Sequence, residues 1–391
     1  MNGDEFLDKM ELINPEYVLA AEQENILRRS NWSKWLKIAA CFALVIFGSM
    51  ATIWYDMSKT VNKSSLHAVT IPDLKPAGMG FEGYILQDIS ELNNGNPWSE
   101  SLNIHQLPVY KNKAFDSTLL GIPKGLKEED MKRLLFSASS SLGLKVDSVD
   151  KVFEQNSEKN GISSTQNPVE IYAITNRGKI SVGADGKITY FLPDGGRKLP
   201  ASYNFSLEKA FSYFLDSYRD LLAFDNPRLI ISGDYDIYGK FKREYIVYNH
   251  SEDKVENILN YNFRSAEFLL DDNGRLSMIR INDNLLVAEK LADYPIITVE
   301  EATKRLTGGH YQSSVPIEFS KEEAIAKVEL IYRSGAMEEV LLPYYRFYVL
   351  LPDESNSLST DKKFKTYGAY YVPALKEEHI VNMPVYKGGF N

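Results

Sequence analysis

Five histidines, one cysteine and several runs of carboxylates are the side chains in this sequence that could do chemistry. His67, His105, His250, His310 and His379 are far apart, and no two fall at the helical or hairpin spacing that brings imidazoles to one metal ion. Each is expected to be a surface or hydrogen-bonded residue; His310, after Gly308-Gly309, has the least ordinary setting. Asp271-Asp-Asn-Gly274 hints at calcium, but an EF-hand loop with Gly274 in its sixth place would begin at Leu269, which cannot ligate. A type I′ turn is the expectation there. Ser139-Ser-Ser141 lies in a helical run and not in a nucleophile elbow. Gly178, Gly183 and Gly186 fall on a hairpin, and no phosphate-binding loop is present. The carboxylate runs Glu128-Glu-Asp130 and Glu377-Glu378 suit helix first turns. A carboxylate pair for glycoside hydrolysis is defined by distance in space, which sequence does not give. No catalytic, cofactor-binding or metal-binding residue is therefore assigned, and the chain is expected not to be an enzyme.

The one cysteine, Cys41, sits inside the stretch around which the rest is organised. Ile38 to Tyr55 has 18 residues without a charge. At ~1.5 Å per residue that is about 27 Å of helix, close to the ~30 Å hydrocarbon core of a bilayer. Trp35 at one end, and Trp54 and Tyr55 at the other, suit the headgroup zone, and Lys37 can snorkel outward. Arg28, Arg29, Lys34 and Lys37 precede the stretch and only Lys59 and Lys63 follow at similar distance, which places the N-terminus in the cytoplasm. Residues 1–37 are expected as a cytoplasmic tail, 38–55 as a transmembrane helix and 56–80 as a linker. Residues 81–391 are expected as an extracytoplasmic region. Cleavage at Ser49-Met-Ala51 is disfavoured because the preceding segment carries seven acidic side chains. Ile38-Ala-Ala-Cys41 resembles a lipobox, but it opens the apolar run where a lipobox closes one.

The net charge is −9, with 44% apolar and 25% charged residues. An acidic exterior argues against nucleic acid as a partner. With no cysteine beyond the apolar stretch, the exterior has neither disulfides nor zinc thiolates, which fits a Gram-positive envelope. The 12% aromatic content, 24 tyrosines included, is expected mainly in strand packing, with a sugar- or peptide-stacking groove as the remaining use.

Along the exterior, amphipathic helices alternate with hairpins in three approximate units, 107–200, 201–290 and 295–391. The first has Met131, Leu134, Leu135, Ala138 and Leu142 on one helix face, then strands at Val169–Ile174 and Gly178–Val182. Asp185-Gly186 turns the chain into Lys187–Leu192. In the second, Ser206 caps a helix striped with Leu207, Ala210, Phe211, Phe214, Leu215, Tyr218 and Leu222. Strands follow, and Asn273-Gly274 turns into Arg275–Ile281. In the third, Thr298-x-x-Glu301 and Ser320-x-x-Glu323 are capping boxes, the latter heading a short helix with Ala324, Val328 and Ile331. Tyr344–Leu351 and Tyr367–Val372 supply strands, the former greasy on both faces as a central strand is. Leu107-Pro-Val-Tyr-Lys111 is echoed by Met383-Pro-Val-Tyr-Lys387. The expected class is α+β, an N-terminal transmembrane helix followed by repeated helix plus antiparallel-hairpin units forming twisted sheets.

The helix and hairpin ending in Asp-Gly-Lys-Ile or Asn-Gly-Arg-Leu, with Tyr370-Tyr-Val-Pro-Ala-Leu near the end, resembles PepSY-like modules and the extracytoplasmic parts of YycH/YycI-type proteins. The segment Leu12-Ile-Asn-Pro-Glu-Tyr-Val-Leu-Ala-Ala and the stretch from Phe81 through Asn96-Pro-Trp-Ser resemble uncharacterised single-span proteins of Firmicutes. The resemblance implies an anchored, non-enzymatic regulator of an envelope signalling system, with a membrane or cell-wall protein as partner and no cofactor. A cell-wall or carbohydrate binder, an inhibitor of a wall-associated protease, and a hydrolase using convergent carboxylates are the competing readings.

Overall fold

In the computed structural model, residues 66–72, 85–86, 94–116, 122–153, 167–193, 196–198, 206–235, 241–271, 273–352 and 365–388 are described. The segment Ile38–Tyr55 and the tail before it lie outside these residues. Among the described residues no helix is long and apolar enough to cross a membrane.

The chain runs β1 (Ile85–Leu86), β2 (Gln106–Asn112), α1 (Glu128–Ser141), β3 (Val146–Val152), β4 (Glu170–Thr175), β5 (Gly178–Gly183), β6 (Ile188–Phe191) and β7 (Arg197–Lys198). It continues with α2 (Leu207–Leu222), β8 (Pro227–Tyr235), β9 (Phe241–Asn249), α3 (Lys254–Phe263), β10 (Arg264–Leu270), β11 (Arg275–Asp283) and β12 (Ala288–Pro295). Last come α4 (Val299–Thr307), β13 (Gln312–Ser313), β14 (Ile325–Tyr332), β15 (Val340–Leu341), β16 (Pro343–Leu350) and β17 (Thr366–Pro373). The fold is α+β with mostly antiparallel pairing, and His67–Asn391 forms one compact unit.

Two meanders, β3 to β6 and β8 to β11, each preceded by a long helix, join through antiparallel pairing of β6 with β11. With β7 this makes a nine-stranded sheet. One rung crosses the whole of it: Val149, Ala173, Ile180, Tyr190, Ile279, Phe268, Tyr245 and Ile231. All eight are apolar or aromatic because period-2 alternation puts every second residue of each strand on the same face. Met131, Leu135 and Ala138 of α1, and Ala210, Phe214, Tyr218 and Leu222 of α2, cover that face as a single core. Ser206 caps α2 as expected, its side chain accepting from the amide of Lys209.

The two hairpins that lead into the seam share one hydrogen-bond pattern. Gly183 N–H donates to Lys187 O and Gly186 N–H to Gly183 O. Likewise Asp271 N–H donates to Arg275 O and Gly274 N–H to Asp271 O. Gly186 and Gly274 take φ of +84° and +71°, while the preceding Asp185 and Asn273 stay at negative φ. The turn is therefore not the expected type I′, which needs positive φ at both central residues. Asp271 Oδ1 instead accepts from the amides of Asn273 and Arg275, so the run read as a calcium hint is a turn clasp.

A second sheet, ordered β1-β17-β16-β14 with β13 on β17, carries the C-terminal core. β16 is central in it, as its apolar run implies. The capping box at Thr298 is present with both of its bonds. The second expected helix is not: Glu322–Ala324 forms one 3-10 turn and Ile325–Tyr332 is strand β14. Half of that strand is β-branched or aromatic, and pairing with β16 outweighs a capping signal worth ~1 kcal/mol. A third sheet, β12-β2-β15, joins strands that are far apart in the sequence.

The stretch read as linker 56–80 includes residues that are packed. Val69 and Ile71 are buried, and Val69 bridges Ile380 near the C-terminus. The two Pro-Val-Tyr-Lys echoes are not equivalent. The first is core strand β2. In the second, Tyr386 stacks on Tyr311 in a coil strap.

Tyrosine hydroxyls act as pins between strands and loops. Tyr332 donates to Pro108 O, Tyr345 to Ile297 O, Tyr370 to Ile317 O and Tyr294 to His67 O. The tyrosines therefore serve the core, as expected for most of them.

Two results test this packing. Gly178 has φ +113°, and a Cβ there would run into the carbonyl oxygen of Phe191 on the neighbouring strand. Gly178→Ala is expected to lower stability by about 2–3 kcal/mol in urea melts. Gly274→Ala, where a Cβ meets nothing within 4 Å, should cost only the left-handed penalty of about 1–2 kcal/mol.

Glu329, 2% exposed, has Arg346 Nη2 at 2.6 Å and Lys327 Nζ at 2.7 Å, with Asn94 donating at 2.7 Å. Burial alone would raise its carboxyl, but Arg346 and Lys327 hold it below the ordinary 4.5. A depressed folded pKa contributes stability that is fully present above the unfolded value and is lost as pH falls through the folded one. Glu329→Gln should therefore cost about 1.5–3 kcal/mol at neutral pH. The gap from the native chain should narrow only below about pH 4.5 in denaturant titrations.

Candidate functional site

The polar face of the nine-stranded sheet, opposite the two long helices, is the place to look for recognition chemistry. Along β10, Ala266 and Phe268 point to the core and Ser265 and Glu267 to the other side. Along β11, Ile279 and Ile281 point in, and Arg280 and Asn282 out. Against this face lies the three-stranded sheet, and between them is a pocket of about 290 Å³.

Several elements build its wall. The turn between β5 and β6 brings Asp185 and Lys187, and the last turn of α3 brings Asn262. The segment between β11 and β12 brings Asn284 and Val287. The loop between β14 and β15 brings Ser334, Gly335 and Ala336, facing Asn112 of β2.

Several of these groups are committed to holding the pocket's shape. Asn112 Nδ2 donates to Gly335 O at 2.8 Å and Glu338 O at 2.7 Å. Asp116 N–H donates to Ala336 O at 2.6 Å, and the buried Asp116 carboxylate meets Lys124 Nζ at 2.7 Å. Asn262 Oδ1 accepts from Tyr332 N–H and its Nδ2 donates to Ile258 O. Glu267 has both oxygens engaged, Oε2 with Arg280 at 2.9 Å and Oε1 with Asn282 at 2.8 Å. The side chains of Ser265, Asn284 and Ser334 make no hydrogen bond to another described residue. With the Asp185–Lys187 pair, they are what the pocket offers a ligand.

Beneath the loop lies an ion pair that is 2% and 5% exposed on its two members, Arg333 and Glu338. Arg333 Nε is 3.0 Å from Glu338 Oε1, and the guanidinium also binds Gln312 Oε1. Its carbon lies 5.7 Å from the Tyr344 ring and 5.2 Å from the Tyr371 ring. Burial pushes the Tyr344 hydroxyl far up, so it stays neutral beside this pair.

None of the sequence-level chemical candidates lies in this pocket. His105 is exposed, and His310 stands beyond the C-terminal end of α4. His379 packs edge-on to Tyr294, whose hydroxyl binds the backbone of His67. Among the described residues no three His, Cys, Asp or Glu converge as a metal site. Ser139 is buried in α1, and Glu128 pairs with Lys132 and Lys151, whose bonds hold its carboxyl below its ordinary value. The residues that do line the pocket had no motif. The available signal was the polar half of strands whose other half is apolar. No protein-family model and no curated protein matches the chain.

Proposed function

We propose that this is a single-pass membrane protein whose α+β body works outside the cytoplasm by binding, as a non-enzymatic accessory of a bacterial envelope signalling system. Anchoring rests on the charge-free segment Ile38–Tyr55 and the basic residues before it. The binding reading is carried by the state of Glu267. A general acid or base needs an oxygen free to reach its substrate, and both oxygens of this carboxylate are held by Arg280 and Asn282. What remains, a lysine–aspartate pair, hydroxyls and a carboxamide, suits recognition of a polar segment of a partner protein. The likeness to PepSY-like and YycH/YycI-type proteins points the same way.

A second reading has a specific observation behind it. Carboxamides and hydroxyls around a pocket of about 290 Å³ are also the chemistry that holds a sugar, so a cell-wall glycan is the alternative ligand. The protease-inhibitor reading has no such support.

A photo-cross-linker placed at Ser334 of the full chain in native membranes separates these readings. Capture of a membrane-bound sensor kinase from Ser334, and not from Lys132 on the helix face, is the expected result. Capture of glycan alone would move the assignment to wall binding. A hydrolytic activity abolished by Glu267→Gln would overturn the binding reading altogether.

A further inference from the structure

A second pocket, of about 480 Å³, opens on the helix-covered face of the nine-stranded sheet. It lies between the C-terminal end of α1, the last turns of α2 and the seam strands β6 and β7. Its described polar lining includes Arg177, Arg197, Tyr218, Ser141 and Ser217, each with a hydrogen to donate. Among the described lining residues there is no aspartate or glutamate, in a chain whose net charge is −9. Both arginines are exposed, and among the described residues neither guanidinium has a carboxylate within ion-pair distance.

Among the described residues, each arginine is held by uncharged groups. Arg177 Nη2 donates to the carbonyls of Leu142 at 2.6 Å and Gly143 at 2.8 Å, closing the end of α1, and its other N–H groups remain. Its own carbonyl accepts from Tyr190 Oη at 2.5 Å, which fixes its backbone. Arg197 lies over the Tyr213 ring at 5.0 Å. The Tyr218 hydroxyl, whose oxygen accepts a hydrogen bond from Arg197, is pushed up to about 12, chiefly by burial, so it keeps its own proton. The same residue leaves helical geometry, with φ −132° and ψ 17°, opening α2 toward the pocket. The remaining wall, Leu192 and Pro193 with the Tyr190 ring, is apolar.

Guanidinium pairs with spare planar donors recognise carboxylate and phosphate oxygens, and an apolar wall beside them selects what carries the oxyanion. We propose that this pocket binds an oxyanion borne on a short apolar group, the chemistry presented by the C-terminal carboxylate of an aliphatic amino acid or peptide. The site is separate from the polar pocket of the opposite face, so it stands whether or not that pocket meets a partner.

The test is calorimetric titration of the full chain in detergent with N-acetyl-leucine, N-acetyl-leucinamide and inorganic phosphate. Saturable binding of the acid, no binding of the amide, and phosphate binding weaker than the acid are expected. Raising salt should weaken the acid's binding. Arg197→Gln should reduce affinity about tenfold or more. Lys198→Gln removes the same charge one residue away, outside the pocket, and should change affinity less than about twofold. Equal binding of acid and amide, equal binding of phosphate and acid, equal losses for the two variants, or no saturable binding of the acid would each overturn the proposal. The acid–amide comparison uses the native chain, so it stands even if Arg197→Gln folds poorly.

Discussion

Phe214→Ala is expected to lower the stability of the chain by about 3–5 kcal/mol, the cost of emptying a large aromatic site in a closed core. Phe214 is fully buried on α2 and stacks on Phe268 of β10 at 4.3 Å, with the Tyr245 ring edge-on at 5.4 Å. Phe268 belongs to the rung that crosses the seam to Ile180 and Ala173, so the cavity opens in a core shared by both meanders. Met131→Ala, on α1 at the other half of the same core, should cost about 2–5 kcal/mol. Both variants should shift one and the same denaturant transition, followed by far-ultraviolet circular dichroism. If instead Phe214→Ala split the transition in two while Met131→Ala moved only one part, the nine-stranded sheet would not be a single cooperative unit. Combining Phe214→Ala with Phe268→Ala should cost less than the sum of the two, because each removes the partner of the other.

That core was largely legible in the sequence, for an identifiable reason. The apolar stripes of α1 and α2 recur at 3.6-residue spacing, and the Asp-Gly and Asn-Gly hairpins mark where each meander turns back. Local signals of this kind need no knowledge of the rest of the chain. The seam was not legible, since nothing in Ile188–Phe191 or Leu276–Ile281 names the other as its partner. Helix α3 was hidden as well. Its apolar face is short: Asn257 and Asn260 are buried on it beside Ile258 and Phe263, and Phe263 packs on Tyr110 of β2 and Tyr332 of β14. β14 was misread because Ala324, Val328 and Ile331 happen to fit a helical face, and only pairing with β16 decides the matter. The polar pocket was the least legible part. Asn112, Glu267 and Ser334 stand far apart in the sequence and meet only in the folded chain.

The loop that completes the pocket rests on a buried ion pair, and breaking that pair is expected to be as costly as emptying the core. Arg333→Met leaves the Glu338 carboxylate inside the protein without its cation, and should cost about 3–5 kcal/mol. Arg333→Met with Glu338→Leu removes both charges and should recover most of that loss, because the desolvation of two ions disappears together with their attraction. The double variant separates stability from function. The guanidinium, seated between the Tyr344 and Tyr371 rings and bound to Gln312, fixes where the strand ends and the loop begins. Asn112 then holds the loop from the other side through Gly335 and Glu338. With both charges gone, the chain should melt near the native midpoint, yet the amides of 334–338 should exchange with solvent faster than in the native protein. Cross-linking from Ser334 should weaken in parallel. Unchanged exchange in the double variant would mean that Asn112 alone positions the loop, and that the ion pair contributes only stability.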